Sequence, residues 1–283
     1  MKLLVEACKT NIYEFKCDGI ILALKDYSVG SKEYYSLDEI RDICSKYNGE
    51  IFVKLNKNLF NDDIDEVKNI LMELDNLKIT GVFFYDLAVL ELKRELNLEL
   101  DLVWNQTHMV NNYKTCDYYN SRGVKYALLG KEIILDEIGE IISSSKITSM
   151  VEVVSKPSVA LSYRSLVSNY YKDLGISGDK EIKIHEKVSG IDFIVSEDFN
   201  GSQFYEDIIT NGTSVIKELY DLGCSYIIMR EYGIPNFLEL VNDTSLYIND
   251  SCCDTNYVDK YKKLGDSTNF FFKKTIYKVK KNG

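Results

Sequence analysis

Apolar residues along this chain come in short unbroken runs. Each run spills into polar side chains and then into a stretch of helical spacing. The pattern is sharpest around Asp101-Leu-Val-Trp104: Asn105, Gln106 and Thr107 follow at once, and a helical pattern opens near Asn111. Similar apolar runs occur at Leu3–Ala7, Asp18–Leu24, Ile51–Leu55, Gly81–Tyr85, Lys125–Leu129, Met150–Val154 and Tyr226–Met229. Helical spacing follows most of them, as in Ile64, Val67, Ile70, Leu71 and Leu74. Ser36-Leu-Asp-Glu39 reads as a capping box that starts one such helix, and Asn48-Gly49 stops it. Strands that are apolar on successive residues are covered on both faces.

Eight strand–helix units predict an α/β fold, a closed (β/α)8 TIM-like barrel. An open doubly wound sheet is the alternative, although it rarely needs eight repeats. The rhythm breaks over residues 155–212, an insertion between strands seven and eight. Within it, a helix is expected at Tyr163–Tyr171, and Glu181–His185 and Asp192–Val195 form a strand pair around Ser189-Gly190. The barrel with its insertion takes residues 1–245, and 246–283 form a C-terminal extension.

Such a barrel carries its chemistry at the carboxyl ends of its strands. Asn56, Asp86, Asn105, Gln106, Thr107, Lys131, Glu132, Glu152 and Arg230 fall there. Strand ends are also polar simply because they meet water. Taken together, the set predicts a polar ligand pocket at the barrel mouth, with Lys131 and Arg230 facing an anion. Arg230 could instead pair with Glu231 across the rim.

Composition narrows the choices. A formal charge of −10 opposes nucleic-acid binding by this chain alone. Seven cysteines, an odd number with no CxxC, point to reduced thiols, and Cys252-Cys253 reads as two of them. No apolar stretch is long enough to span a membrane, and the residues after Met1 do not make a signal peptide, so a cytoplasmic protein is expected. The two histidines, His108 at a helix start and His185 in a strand, come without HExxH or GxSxG. Lys273, Lys274, Lys278, Lys280 and Lys281 are interleaved with Phe270–Phe272 and Tyr277. They could stack on RNA, or dock their aromatics on the barrel and leave the lysines in water.

With the strand ends laid out, the chain resembles peptidase family U32, the collagenase-like peptidases, whose members include bacterial proteins of tRNA uridine hydroxylation. Val53-Lys-Leu-Asn56 falls where the family has a strand ending in Val-Asn, and Phe84-Tyr-Asp-Leu-Ala-Val89 where it has Asp-Pro-Gly or Asp-Pro-Ala. Asn105-Gln-Thr107 matches a Ser-Thr-Gln strand end, and Leu128-Leu-Gly-Lys-Glu132 a Val-Leu-Ala-Arg-Glu segment. Asn269-Phe-Phe-Phe-Lys-Lys274 resembles the tail of the shorter of two Gram-positive paralogues.

The resemblance implies a TIM-like barrel, a prephenate-dependent hydroxylation and, in several members, an iron–sulfur cluster on four cysteines. Here Ser158, Ser165 and Asn200 fall on three of those positions, and no cysteine lies between Cys116 and Cys224. Serine and asparagine do not replace cluster thiolates, so no cofactor is expected beyond a carboxylate metabolite such as prephenate. The expected role is that of a partner subunit beside a cysteine-bearing paralogue, with tRNA contacted indirectly. A peptidase or other hydrolase, and a non-catalytic metabolite-binding barrel, are the alternatives.

Overall fold

A computed structural model of the chain describes residues 1–106, 109–265, 267–268 and 270–273. Numbered in chain order, the first seven strands are β1 Lys2–Glu6, β2 Gly19–Ala23, β3 Glu50–Leu55, β4 Gly81–Phe84, β5 Leu102–Trp104, β6 Tyr126–Leu128 and β7 Thr148–Ser155. Then come β8 Ser158–Ser162, β9 Glu181–His185, β10 Asp192–Asp198, β11 Gly201–Glu206, β12 Thr210–Asn211 and β13 Tyr226–Arg230. β1 to β7 pair in sequence order, all parallel where they meet, and β13 closes the ring between β7 and β1. This is the closed barrel that the continuous apolar runs predict.

Alternation along each strand divides the core in two. Leu4, Ile21, Phe52, Phe83, Val103, Tyr126, Met150 and Ile228 point inward and form a cluster of their own. The Phe52 ring meets Phe83, Tyr126 and Tyr226 edge-on, with centroids 5.7–6.0 Å apart. The opposite parity, Leu3, Val5, Leu22, Val53, Val82 and Phe84 among others, packs outward under the helices.

Those helices are α1 Leu37–Lys46, α2 Ile64–Asn76, α3 Leu87–Glu95, α4 Tyr113–Asn120, α5 Leu135–Ser144, α7 Ile216–Asp221 and α8 Phe237–Asn249. Ser36 and Glu39 form the capping box at the start of α1. β1 departs from the strand–helix rhythm, because only a 3₁₀ turn, Ile12–Glu14, separates it from β2. That connection is too short for a helix with its turns. Phe15 fills the gap instead, edge-on to Phe237 of α8 at 5.6 Å.

α8 passes through residue 245, where the barrel was expected to end and the extension to begin. α9, Thr255–Tyr261, folds back on it, with Tyr257 stacked on Tyr247 at 4.3 Å. Phe271 is buried, and its carbonyl accepts from Leu135 N at the start of α5. Tyr257 and Phe271 thus anchor this segment along the outside of the ring.

The insertion folds as a four-stranded antiparallel sheet, in the order β8-β11-β10-β9. The expected pair is β9 with β10, while β8 and β11 were not anticipated. α6, Leu166–Leu174, lies on the outer face, where Glu197 of β10 accepts from Ser168 N and Oγ. The inner face roofs the barrel mouth. Lys32 binds Glu181 (2.8 Å), Tyr34 donates to Asp198 (2.8 Å), and Asn200 Nδ2 donates to the Ser28 carbonyl (2.9 Å).

Candidate functional site

In four barrel strands a charged residue stands two places after an inward apolar one. Glu6 follows Leu4, Lys54 follows Phe52, Glu152 follows Met150, and Arg230 follows Ile228. The strand alternation therefore stacks the four charges as one layer above the apolar interior, under the roof. Arg230 donates through Nη1 to Glu6 and through Nε to Glu152 Oε2 (2.6 Å). Lys54 Nζ donates to Glu6 Oε1 (3.0 Å) and Ser31 Oγ (2.7 Å), and Ser31 Oγ donates to Glu6 Oε1 (2.6 Å). Ser155 and Lys131 both bind Glu152. Two carboxylates thus share three cations.

Burial works against each charge, and the partners decide the outcome. Glu6 resists protonation because Arg230 and Lys54 outweigh its burial. Glu152 is held far below the usual carboxylate range by Arg230 and Lys131, again against burial. Arg230 is raised, since Glu152 and Glu6 overcome its desolvation. Lys54, only 2 % exposed, is the exception: burial draws it down to about 8 although Glu6 pulls the other way.

For Glu6 and Glu152 the sign of the pH dependence follows directly. Both fold with depressed pKa values, so the unfolded chain binds more protons as pH falls below the ordinary glutamate range. Stability from this layer is complete above that range and drains away below it. Denaturant midpoints measured between neutral pH and pH ~3 fall steeply for the native chain. Glu152→Gln flattens that fall, and a variant curve parallel to the native one would count against the layer.

Tyr205 of β11 is buried in the roof, and burial raises its phenol above its ordinary value. Its ring meets Tyr232 at 4.7 Å, and Lys32 Nζ lies 4.1 Å from the Tyr232 centroid. The cavity between the Val29–Tyr34 loop and the insertion sheet holds about 10 Å³, room for one water at most. A larger open groove of about 660 Å³ lies outside the ring, beside the loop after β1, lined by Lys9, Tyr13, Tyr35, Asp38 and Asp42 among others.

Of the residues expected at the mouth, Lys131, Glu152 and Arg230 come together in the charged layer. The others are dispersed. Asn56 braces the β2–α1 loop through Val29 N and O (3.1 and 3.2 Å). Asp86 caps α3 at Ala88 N (2.9 Å) and also accepts from Leu59 N (3.0 Å). Gln106 is engaged by Tyr85 O, Trp104 Nε1 and the Tyr119 hydroxyl. Asn105 is buried at the end of β5, and Glu132 is exposed. Thr107 and His108 lie outside the described residues. Glu231 does not take the rim pairing with Arg230: it gathers the backbone N–H groups of Cys8, Lys9 and Thr10 (2.6, 2.8 and 3.1 Å). Glu6 and Lys54 were not anticipated. A charge inside an apolar strand, as in Val53-Lys-Leu55, was the available signal.

Of the positions matched to cluster cysteines, Ser158 stands apart from Asn200. Ser158 pairs across the sheet with Tyr205, on the order of 15 Å along β11 from Asn200. Ser165 precedes α6. Cys116, Cys224 and Cys252 are buried apart from the insertion, and Cys253 is exposed. Among the described residues no group of three or more His, Cys, Asp or Glu is placed to hold a metal ion. Ser158, Ser165 and Asn200 do not supply the thiolates that a four-cysteine cluster needs.

Comparison with known proteins agrees with the barrel. The chain is 26% identical over 258 residues to tRNA hydroxylation protein P2 of Bacillus subtilis (strain 168), covering 83% of this chain and 84% of that protein. The structure of the U32 peptidase Mk0906 superposes with a TM-score of 0.52 at 15% identity, over 83% of this chain and 94% of that one, a likeness of fold. Residues 6–180, from the end of β1 through α6, match the sequence pattern of peptidase family U32. That match takes in more than half of the chain, which belongs to peptidase family U32.

Proposed function

We propose that this protein is a partner subunit in tRNA uridine hydroxylation, working beside a cysteine-bearing member of its own family. The observation that carries the reading is the similarity to a tRNA hydroxylation protein, which runs through most of both chains. The donor set adds to it, since any chemistry on an iron–sulfur cluster falls to another chain. The acidic charge adds to it as well, because tRNA would be held mainly by the partner. A carboxylate metabolite such as prephenate would compete with Glu6 and Glu152 for Arg230 and Lys131.

The peptidase alternative finds less to stand on. His185 spends its Nδ1 on Asp192 (2.8 Å) at an exposed strand edge. Among the described residues no helix is long and apolar enough to cross a membrane.

Nucleoside analysis of tRNA from a deletion strain tests the proposal. 5-Hydroxyuridine is expected to disappear and to return with a plasmid copy. Unchanged hydroxyuridine, in a strain with no redundant paralogue, would remove the proposal.

A further inference from the structure

The insertion sheet has two edges, and they are built differently. β8 is preceded by Pro157, and its pairing with β11 carries a register shift at Phe204/Tyr205. Proline and bulges are common ways to blunt a sheet edge. β9, at the other edge, has neither.

The hydrogen bonds at the two ends of β9 fix which of its backbone groups face outward. Lys180 O accepts from Glu197 N, and Glu186 N donates to Ile191 O. The even-numbered residues therefore turn their N–H and C=O groups to β10, and Glu181, Lys183 and His185 aim theirs at the open edge. The side chains alternate too. Ile182 and Ile184 lie opposite Val195 and Phe193 on the outer face, while Glu181 and Lys183 share the barrel side with Ser196 and Ile194.

We infer that β9 is the seam of a two-fold homodimer, pairing antiparallel with β9 of a second copy. The segment Glu-Ile-Lys-Ile-His is nearly self-complementary about Lys183. In the register centred there, all three outward-facing residues find backbone partners. Ile182 meets the partner's Ile184 on the outer face, and Glu181 meets the partner's His185 on the other.

The two Lys183 side chains meet at the axis. A lysine there usually keeps an edge strand single. Here its ammonium is already flanked by Asp192 (3.0 Å) and Asp207 (2.8 Å) of its own sheet, which neutralises the repulsion. Ile184 and Ile191, both 38% exposed, and Leu174 and Ile176, both more than half exposed, supply apolar surface in the same insertion. A two-fold pairing of this kind uses one patch on both copies and closes on itself.

Sedimentation of the full chain at tens of micromolar tests the seam, with an expected mass twice the 32.6 kDa of one chain. Lys183→Pro removes one outward N–H per copy and leaves the β9–β10 bonds intact. It is expected to weaken the dimer by roughly a hundredfold, whereas Lys183→Ala, which keeps the N–H, stays dimeric. Ile184→Glu alters no backbone group and is expected to dissociate the dimer through the apolar row. Far-UV circular dichroism checks that each variant is folded. A monomeric native chain overturns the inference, as does a dimer that survives both Lys183→Pro and Ile184→Glu in the folded state.

Discussion

Arg230→Met lowers the stability of the chain by roughly 3–5 kcal/mol. Arg230 is the group that binds both buried carboxylates, Glu6 through Nη1 and Glu152 through Nε. Methionine fills a similar volume, so packing changes little. The charge balance changes a great deal: three cations over two carboxylates become Lys54 and Lys131 alone. Lys54 is drawn down to about 8 by burial and binds Glu6 alone of the two carboxylates, and Lys131 reaches Glu152 from a side chain 36% exposed. Each buried carboxylate then keeps one lysine and loses the guanidinium that bridges the two. For a chain of this size the melting temperature drops by on the order of 10 °C. The double variant Glu152→Gln, Arg230→Met recovers part of the loss, because it removes a stranded charge together with its partner. A single variant within ~1 kcal/mol of the native chain would mean that the layer is not a support.

Gly201→Ala acts on the roof alone. Gly201 adopts φ +120° at the turn between β10 and β11, a conformation that side-chain-bearing residues rarely take. A Cβ there would overlap the Ser162 carbonyl oxygen and lie 2.8 Å from Tyr163 Cα, both backbone atoms with nowhere to go. Strain and overlap together cost roughly 3 kcal/mol or more, localised in the insertion. Amide hydrogen exchange should therefore quicken across β8, β10 and β11, while amides of β1 and β2 keep their native protection. Native exchange throughout the insertion would show that the turn tolerates the added carbon.

The barrel was legible because its strands are apolar on both faces and its helices keep their spacing. Val67, Ile70, Leu71 and Leu74 of α2 are all buried, as their spacing predicts. The same continuity concealed the charged layer. In a run such as Ile51-Phe-Val-Lys-Leu55 no alternation marks which residues face inward, so Lys54 could not be placed until the ring closed and set the parity. Glu6 and Ser31 joined the layer through contacts distant in sequence, among them Lys54–Glu6 at 48 residues and Ser31–Glu6 at 25. Asn56, Asp86 and Gln106 were polar for a local reason, bracing loops and a helix start. β8 and β11 went unread because Ser158–Ser162 is largely exposed, and β11 opens on Gly-Ser-Gln before its two aromatic residues.

The way the charged layer is wired bears on how the ring can assemble. Glu6 and Lys54 come from β1 and β3, and Glu152 and Arg230 from β7 and β13. Each half-ring therefore carries a counter-ion for its own carboxylate, and the Arg230–Glu6 contact joins the two halves. The amino-terminal half can collapse as it leaves the ribosome without stranding a lone ion in grease. The last strand then brings Arg230, which pairs with Glu152 of β7 and clasps the first strand as it docks.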